Sequence, residues 1–383
     1  MREESNSMKL MCENKVVDLR TDIGEKNAML ITGGSRMGKT FFASNFAADL
    51  ILKGNSIQLI DLGDKWSKED KARLFAAGAV ENVVEKQGLK LIFASATELS
   101  GCAMNIVKAL GFRSSKANAV LKKVILQQYN EKRNSLSIKD IMNSLAKKGE
   151  EAERGDERDW AYDIYSCLEG YGVVPDIVFC VDTNARFSDS SVIWDLSGLN
   201  DTYVRVSTYL ILYCMYCQKK GDFKNDIQRK NVFVVIDECQ NLEFDRRSII
   251  GTCLAEGQKY GLNLILITQF LKGNFSEAII AQFKQGGFRF HFRTTEEEAA
   301  MISGQLAFDS YTRKKLFQNL VSFPNGNCLF YGSHSIGKGQ EILENLRFIK
   351  VIGDDPEEIK REHILTVAAK RQPVVVYRVG KAK

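Results

Sequence analysis

The octet Gly33-Gly34-Ser35-Arg36-Met37-Gly38-Lys39-Thr40 constrains this chain more than any other stretch of it. Its G-x-x-x-x-G-K-[ST] spacing lets a loop turn with its backbone N–H groups pointing inward. A helix that follows adds the positive end of its dipole, and the two together cradle a polyphosphate such as that of ATP. Lys39 supplies a point charge for the β- and γ-phosphates, and the Thr40 hydroxyl is a ligand for Mg²⁺. The context is the required one: an apolar run, Ala28–Thr32, precedes the loop and a helical pattern, Lys39–Lys53, follows it. A second G-x-x-x-x-G-K occurs at Gly332–Lys338, but Gly339 stands where the hydroxyl is needed and a strand-like pattern comes next. That copy reads as the turn of a β-hairpin.

Other short apolar runs bounded by turn signals read as buried strands: Ile57–Asp61, Leu89–Ala94, Val192–Leu196, Val232–Asp237, Leu264–Gln269, Phe288–Arg293 and Cys328–Tyr331. Helical patterns such as Asp201–Gln218 and Arg246–Tyr260 separate most of them. Strand–helix alternation with near-continuous apolar strands predicts an α/β fold whose mainly parallel sheet is covered on both faces. Between about Gly111 and Gly170 the chain is charged, poor in glycine and helical in period, with no convincing strand. We therefore expect a discontinuous α/β core over 1–110 and 171–352, an all-helical insertion over 111–170, and a C-terminal tail over 353–383 that ends in basic residues. The charged cluster Gly149–Asp159 reads as a solvated face or an acidic partner surface.

The 383 residues carry a net charge of +5, which excludes a polybasic binder but not a local basic patch. Lys219, Lys220, Lys224, Arg229 and Lys230 form one such cluster, suited either to DNA phosphates or to a solvated loop. The longest apolar run, near Val206–Cys217, is too short to span a bilayer, and residues 1–27 show no signal peptide. A cytoplasmic protein without membrane insertion is expected. Cys214 and Cys217 have metal-ligand spacing, but they sit in an apolar helical run with no second pair to complete a site, so core packing is the better reading.

Val232-Phe-Val-Val-Ile-Asp237-Glu238 is a buried strand ending in two carboxylates. At the edge of a parallel sheet beside a phosphate loop, Asp237 suits the Mg²⁺ shell, and Glu238 suits orienting and deprotonating an attacking water. The run Leu264–Gln269 follows a helix closed by Gly261, which predicts that Gln269 lies beside Asp237, either sensing the γ-phosphate or the lytic water or simply ending a core strand. In Phe288–Arg293 the strict alternation turns the phenylalanines to the core and puts Arg289, His291 and Arg293 on the opposite, exposed face. Two arginines there suit a charge supplied to a phosphate, in a neighbouring subunit, and equally a solvated strand face.

Taken together, the phosphate loop with its strand, Ile193-Trp-Asp-Leu-Ser-Gly-Leu199, Val235-Ile-Asp-Glu-Cys-Gln-Asn-Leu242, Glu256–Leu262 leading into the Gln269 strand, and Phe290-His-Phe-Arg-Thr-Thr-Glu-Glu-Glu-Ala299 resemble the HerA/FtsK superfamily of P-loop motors. The likeness is to the HerA and VirB4-like branches and covers roughly Asn27–Ile352. The resemblance implies a RecA-like core forming a homo-hexameric ring, ATP and Mg²⁺ between subunits, and double-stranded DNA in the pore. It makes Lys39 and Thr40 phosphate and metal residues, Asp237 and Glu238 the acids, Gln269 the sensor, and Arg293 the arginine acting in trans, with Arg289 second. It further implies a setting in bacterial DNA processing or phage defence, with a nuclease as partner. Two departures stand out. The first core strand begins near Ala28, which leaves no room for the N-terminal β-barrel of HerA proteins, so the expectation is a pared-down member or a C-terminal motor fragment. Gln258-Lys259 also replaces the Arg-Lys pair common in the family. The rival expectations are a VirB4-like ATPase that powers export and a slow nucleotide-gated assembly scaffold.

Overall fold

The computed structural model describes residues 8–363 except 14, 20–27, 63–65, 133–134, 152–154, 171–172, 185–189, 228–229, 243, 246, 274, 276, 285–286, 337–342, 354 and 362. Its strands are β1 (Met8–Cys12), β2 (Lys15–Leu19), β3 (Met29–Thr32), β4 (Ser56–Asp61), β5 (Val80–Val83), β6 (Leu89–Phe93), β7 (Ser135–Ser137), β8 (Ile177–Val181), β9 (Val192–Asp195), β10 (Val232–Ile236), β11 (Leu262–Thr268), β12 (Phe288–Phe292), β13 (Asn327–Ile336) and β14 (Leu343–Gly353). Eleven of them form one sheet in the order β14-β1-β2-β13-β12-β3-β11-β10-β4-β9-β5. From β12 to β5 every pairing is parallel. This is the expected α/β architecture.

The parallel strands alternate because each serves two cores. Met29, Ile31, Ile57, Leu59, Phe233, Val235, Ile265, Ile267, Phe290 and Phe292 pack on one face with Phe42 and Phe46 of the helix Lys39–Leu52. Leu30, Ile60, Val234, Ile236, Leu264 and Leu266 pack on the other with the helices Asp201–Lys224 and Ile249–Glu256. Phe290 sits between Phe42 and Phe330, with ring centroids 4.3 and 4.8 Å away. With both faces covered, little water reaches the strands, and polar side chains survive there only where they are bonded or used.

Two features differ from the sequence reading. The run at Leu89 does not join the main sheet: β6 pairs with β8, and β7 pairs with β8, in a separate three-stranded sheet. The segment 111–170 is therefore not all helical; its helices Ser115–Lys132, Ile138–Glu151 and Asp156–Glu169 are accompanied by the short strand β7. An apolar run announces burial but not which sheet it joins, and three residues are too few to show a period. The segment shares a continuous core with the rest of the chain, and the Tyr203 hydroxyl donates to the Leu168 carbonyl at 2.6 Å. Second, β1 and β2 precede the expected first strand. With β13 and β14 they pair in a closed antiparallel circuit at one end of the sheet.

The β13–β14 pairing is the expected hairpin, although its turn at 337–342 lies outside the described residues. The basic end of the tail, 364–383, also lies outside them; before it, a helical turn at 356–361 seats Ile359 in the core. Among the described residues no helix is long and apolar enough to cross a membrane.

Candidate nucleotide site

β3 delivers the phosphate loop, and the backbone of the loop explains its composition. Gly33 has φ 146° and Gly38 φ 99°, and Arg36 also lies in the left-handed region at φ 60°. A Cβ on Gly33 would fall 2.7 Å from the Phe292 Cβ, so a side chain is excluded there by packing as well as by conformation. Gly38 caps the helix Lys39–Leu52, and its carbonyl accepts from the Phe42 N–H at 2.9 Å. The Lys39 ammonium folds back onto its own loop and donates to the carbonyls of Gly33 and Gly34, each at 2.8 Å. Burial lowers its pKa, while the charges of Asp237 and Glu238 pull the other way.

β11 lies between β3 and β10, so the two acids face the loop across one intervening strand, not from an adjacent one. That intervening strand ends at Thr268, and Gln269 follows it directly into the gap. Asp237 Oδ2 accepts from the Thr40 hydroxyl at 3.3 Å, and its Oδ1 accepts from the Glu238 N–H at 2.8 Å. Asp237 is buried, and desolvation raises its pKa to about 6, with the Glu238 charge adding to the rise. Glu238 stands at φ 51°, an uncommon conformation for a side-chain-bearing residue, and it aims its carboxylate at two amides. Gln269 Nε2 donates to one Glu238 oxygen at 2.7 Å, and Gln240 Nε2 donates to the other. The Thr268 hydroxyl donates to Gln240 Oε1 at 2.8 Å, which fixes which end of that amide faces the acid.

Lys39, Thr40, Asp237, Glu238 and Gln269 line a cleft of about 370 Å³ with Ser35, Arg36, Gly38, Phe41 and Asp70. The loop, the two acids and Gln269 lie together in the structure, with Gln269 bonded to Glu238 where Asp237 was the expected neighbour. Gln240 and Asp70 are additions. Gln240 belongs to the D-E-C-Q stretch but has no role in the sequence reading. Asp70, from the helix Lys68–Ala76, accepts from the Ser44 hydroxyl at 3.2 Å and from Arg73 at 3.1 Å. Nothing in its local pattern marks it, because only tertiary packing brings that helix against the phosphate-loop helix. A hydroxyl beside a buried carboxylate in want of a cation is the hard oxygen donor set that suits Mg²⁺, so Thr40 and Asp237 fit that metal.

The β12 face is a correction. Arg289 is 8% exposed and its guanidinium lies 4.3 Å from the centre of the Tyr331 ring; His291 is buried against the Thr32 hydroxyl at 2.7 Å. Burial, with the Arg289 charge second, pushes the His291 pKa down to about 3. The alternation is real, but the face opposite the phenylalanines is interior, so Arg289 lacks the exposure that a role in trans requires. Arg293, half-buried at the strand's end, lies against the phosphate loop of its own chain. Lys219 is likewise buried and donates to the Lys230 carbonyl at 3.0 Å, so it is spent inside the fold. Cys214 and Cys217 are buried in their helix, where the Cys214 thiol donates to the Ile92 carbonyl at 3.1 Å.

No protein-family model matches the chain, and no curated protein matches it. Solved structures do. VirB4 of Thermoanaerobacter pseudethanolicus superposes with a TM-score of 0.65 at 16% identity, over 92% of this chain and 98% of that one. The bacterial conjugative coupling protein TrwB superposes at 0.56 and 11% identity, over 91% and 89%. The plasmid coupling protein TrwB in complex with the non-hydrolysable GTP analogue GDPNP gives 0.57 at 11% identity, over 91% and 90%. The chain shares the fold of these proteins, a RecA-like P-loop fold built on a large, mainly parallel central sheet.

Proposed function

We propose that the chain is an ATP-hydrolysing motor of the HerA/FtsK type, which works as a homo-hexameric ring on double-stranded DNA in bacterial DNA processing or phage defence, with a nuclease as partner. The observation that carries the reading is the convergence of Lys39, Thr40, Asp237, Glu238 and Gln269 on one cleft. The Lys39 ammonium leaves the carbonyls of Gly33 and Gly34 for the β- and γ-phosphates. Glu238, held by Gln240 and Gln269, accepts a proton from the water that attacks the γ-phosphorus in line as the bond to the bridging oxygen breaks, giving ADP and phosphate. Gln269 bridges Glu238 and the γ-phosphate and so registers whether that group is present. Thr40 and Asp237 would hold Mg²⁺, which offsets charge on the phosphate oxygens.

A second reading, a VirB4-like ATPase energising type IV secretion or conjugation, is favoured by the superposition on VirB4 across 98% of that chain. ATP turnover with and without duplex DNA, over a salt series, separates the two. The DNA motor predicts strong stimulation that fades as salt rises. The secretion reading predicts equal turnover with and without DNA. Near-zero turnover with tight ATP binding points to a nucleotide-gated scaffold.

A further inference from the structure

The phosphate loop is flanked on two sides, and the flanks carry opposite chemistry. β3 lies between β11 and β12. On the β11 side stand Gln269 and the acids Asp237 and Glu238. On the β12 side the backbone is fastened to the loop. The Arg293 carbonyl accepts from the Gly34 N–H at 2.7 Å, and the Gly326 N–H donates to the Met37 carbonyl at 3.3 Å. A Cβ on Gly38 would lie 3.3 Å from the Gly326 nitrogen, so the two chains pass as closely as glycines allow.

The Arg293 side chain follows its backbone onto the same loop. Its Nε donates to Met37 Sδ at 3.0 Å and its Nη2 to Asn325 Oδ1 at 3.4 Å. A thioether is a weak acceptor and 3.4 Å is long, so this guanidinium sets its five N–H donors against two poor acceptors among the described residues. A planar fork of donors, anchored at the rim of a phosphate cradle and poorly used by the protein, suits phosphate oxygen. We propose that Arg293 grips, in cis, the nucleotide held by its own chain, on the side of the loop opposite the acids. This rests on the reading of Gly33–Thr40 as a nucleotide site and replaces the trans role that the resemblance implies for Arg293. Service to a neighbour would require the guanidinium to leave Met37 and Asn325 and turn from the loop that its own backbone braces.

The test is equilibrium binding of a fluorescent ATP analogue to the full chain, diluted until sedimentation finds single protomers. Wild-type protomers bind, Arg293→Ala weakens binding about tenfold or more, the loss expected of one charge-assisted contact, and Arg293→Lys, which keeps the charge without the fork, falls between. Arg293→Ala protomers that bind as tightly as wild type overturn the proposal, as do wild-type protomers that bind only once assembled. Should Arg293→Ala fail to fold, the Arg293→Lys comparison decides by the same criterion. Lys39→Ala reports separately on the site. Unchanged binding in that variant removes the nucleotide reading itself and the proposal with it, whereas lost binding there with intact binding in Arg293→Ala rejects only the role of Arg293.

Discussion

The parallel half of the sheet and the segment around β6–β8 use charge in opposite ways. In the first, charged and polar groups are interior: Lys39, Asp237, Thr268, His291 and Arg289 are all buried. In the second, the ion pairs lie outside. Lys123 pairs with Glu157 at 2.9 Å with side chains 62% and 46% exposed, and Lys148 reaches the same acid at 3.2 Å. The acidic cluster near Gly149 thus includes Glu157 and Asp156 in surface pairs, with Asp156 meeting Lys116. Burying a charge costs several kcal/mol unless something compensates it, so the interior carboxylate and lysine of the cleft are expensive to keep, which the proposed function accounts for, while exposed pairs contribute little to stability. The contrast yields tests of graded size.

The largest effect is expected at Glu238. Glu238→Gln keeps the size and can still accept from one of the two amides, but it removes the proton acceptor, so turnover should fall on the order of 10²–10⁴-fold, the usual share of a general base. Nucleotide binding should persist. Steady-state turnover beside equilibrium binding checks this, and an unchanged rate takes Glu238 out of its assigned role.

Next is the packing beneath the site. Phe290 is fully buried between Phe42 and Phe330, and it leads directly to His291 and Arg293. Phe290→Ala should cost about 3–5 kcal/mol in chemical denaturation. A loss under 1 kcal/mol would mean that the two-faced core does not hold that strand as described.

Asp237 sharpens the contrast, because there charge and stability oppose each other. Its folded pKa, about 6, lies above the ordinary 3.8. The folded state therefore binds the proton more tightly than the unfolded state: no penalty exists below about pH 4, it grows up to about pH 6, and it is constant above. Asp237→Asn should gain stability at neutral pH, on the order of 3 kcal/mol at most, and nothing at pH 3.5. The same variant should lose Mg²⁺-dependent turnover. In the wild type, Mg²⁺–nucleotide affinity should fall as pH drops through about 6, where the carboxylate takes up its proton. Thermal melts at the two pH values check the first claim, and binding titrations between pH 5 and 8 check the second.

The parts of the site that were legible in the sequence are those whose chemistry is local. A phosphate loop needs its glycines and lysine within one turn, and an acid-tipped strand shows as an apolar run with two carboxylates at its end. Gln269 was legible because strand–helix–strand adjacency places neighbours without knowledge of the whole sheet. What stayed hidden depends on the second layer. Arg289 and His291 alternate as a half-exposed strand does, and only the packing over that face makes them interior. Asp70 and Gln240 act through contacts with Ser44 and Thr268 that sequence spacing does not encode. β6 carried the signal of a core strand and folds into another sheet, because an apolar run does not name its partner. The antiparallel circuit of β1, β2, β13 and β14 joins the two ends of the chain, and no local pattern in residues 1–27 anticipates it.

The smallest effect is expected where charge is outermost. Glu157 accepts from both Lys123 and Lys148, and these two partners hold its pKa below the ordinary value. Paired geometry of this kind looks stabilising, yet water screens both partners and holding long side chains in place costs entropy. Glu157→Gln should change stability by no more than about 0.5 kcal/mol, with the small loss confined to low salt. Denaturant titrations at 50 mM and 500 mM salt read it directly. A loss above 2 kcal/mol that survives high salt would mean that this acid is structurally enclosed and that the surface pairs near β6–β8 are organised like the interior ones, which would erase the contrast with the nucleotide core.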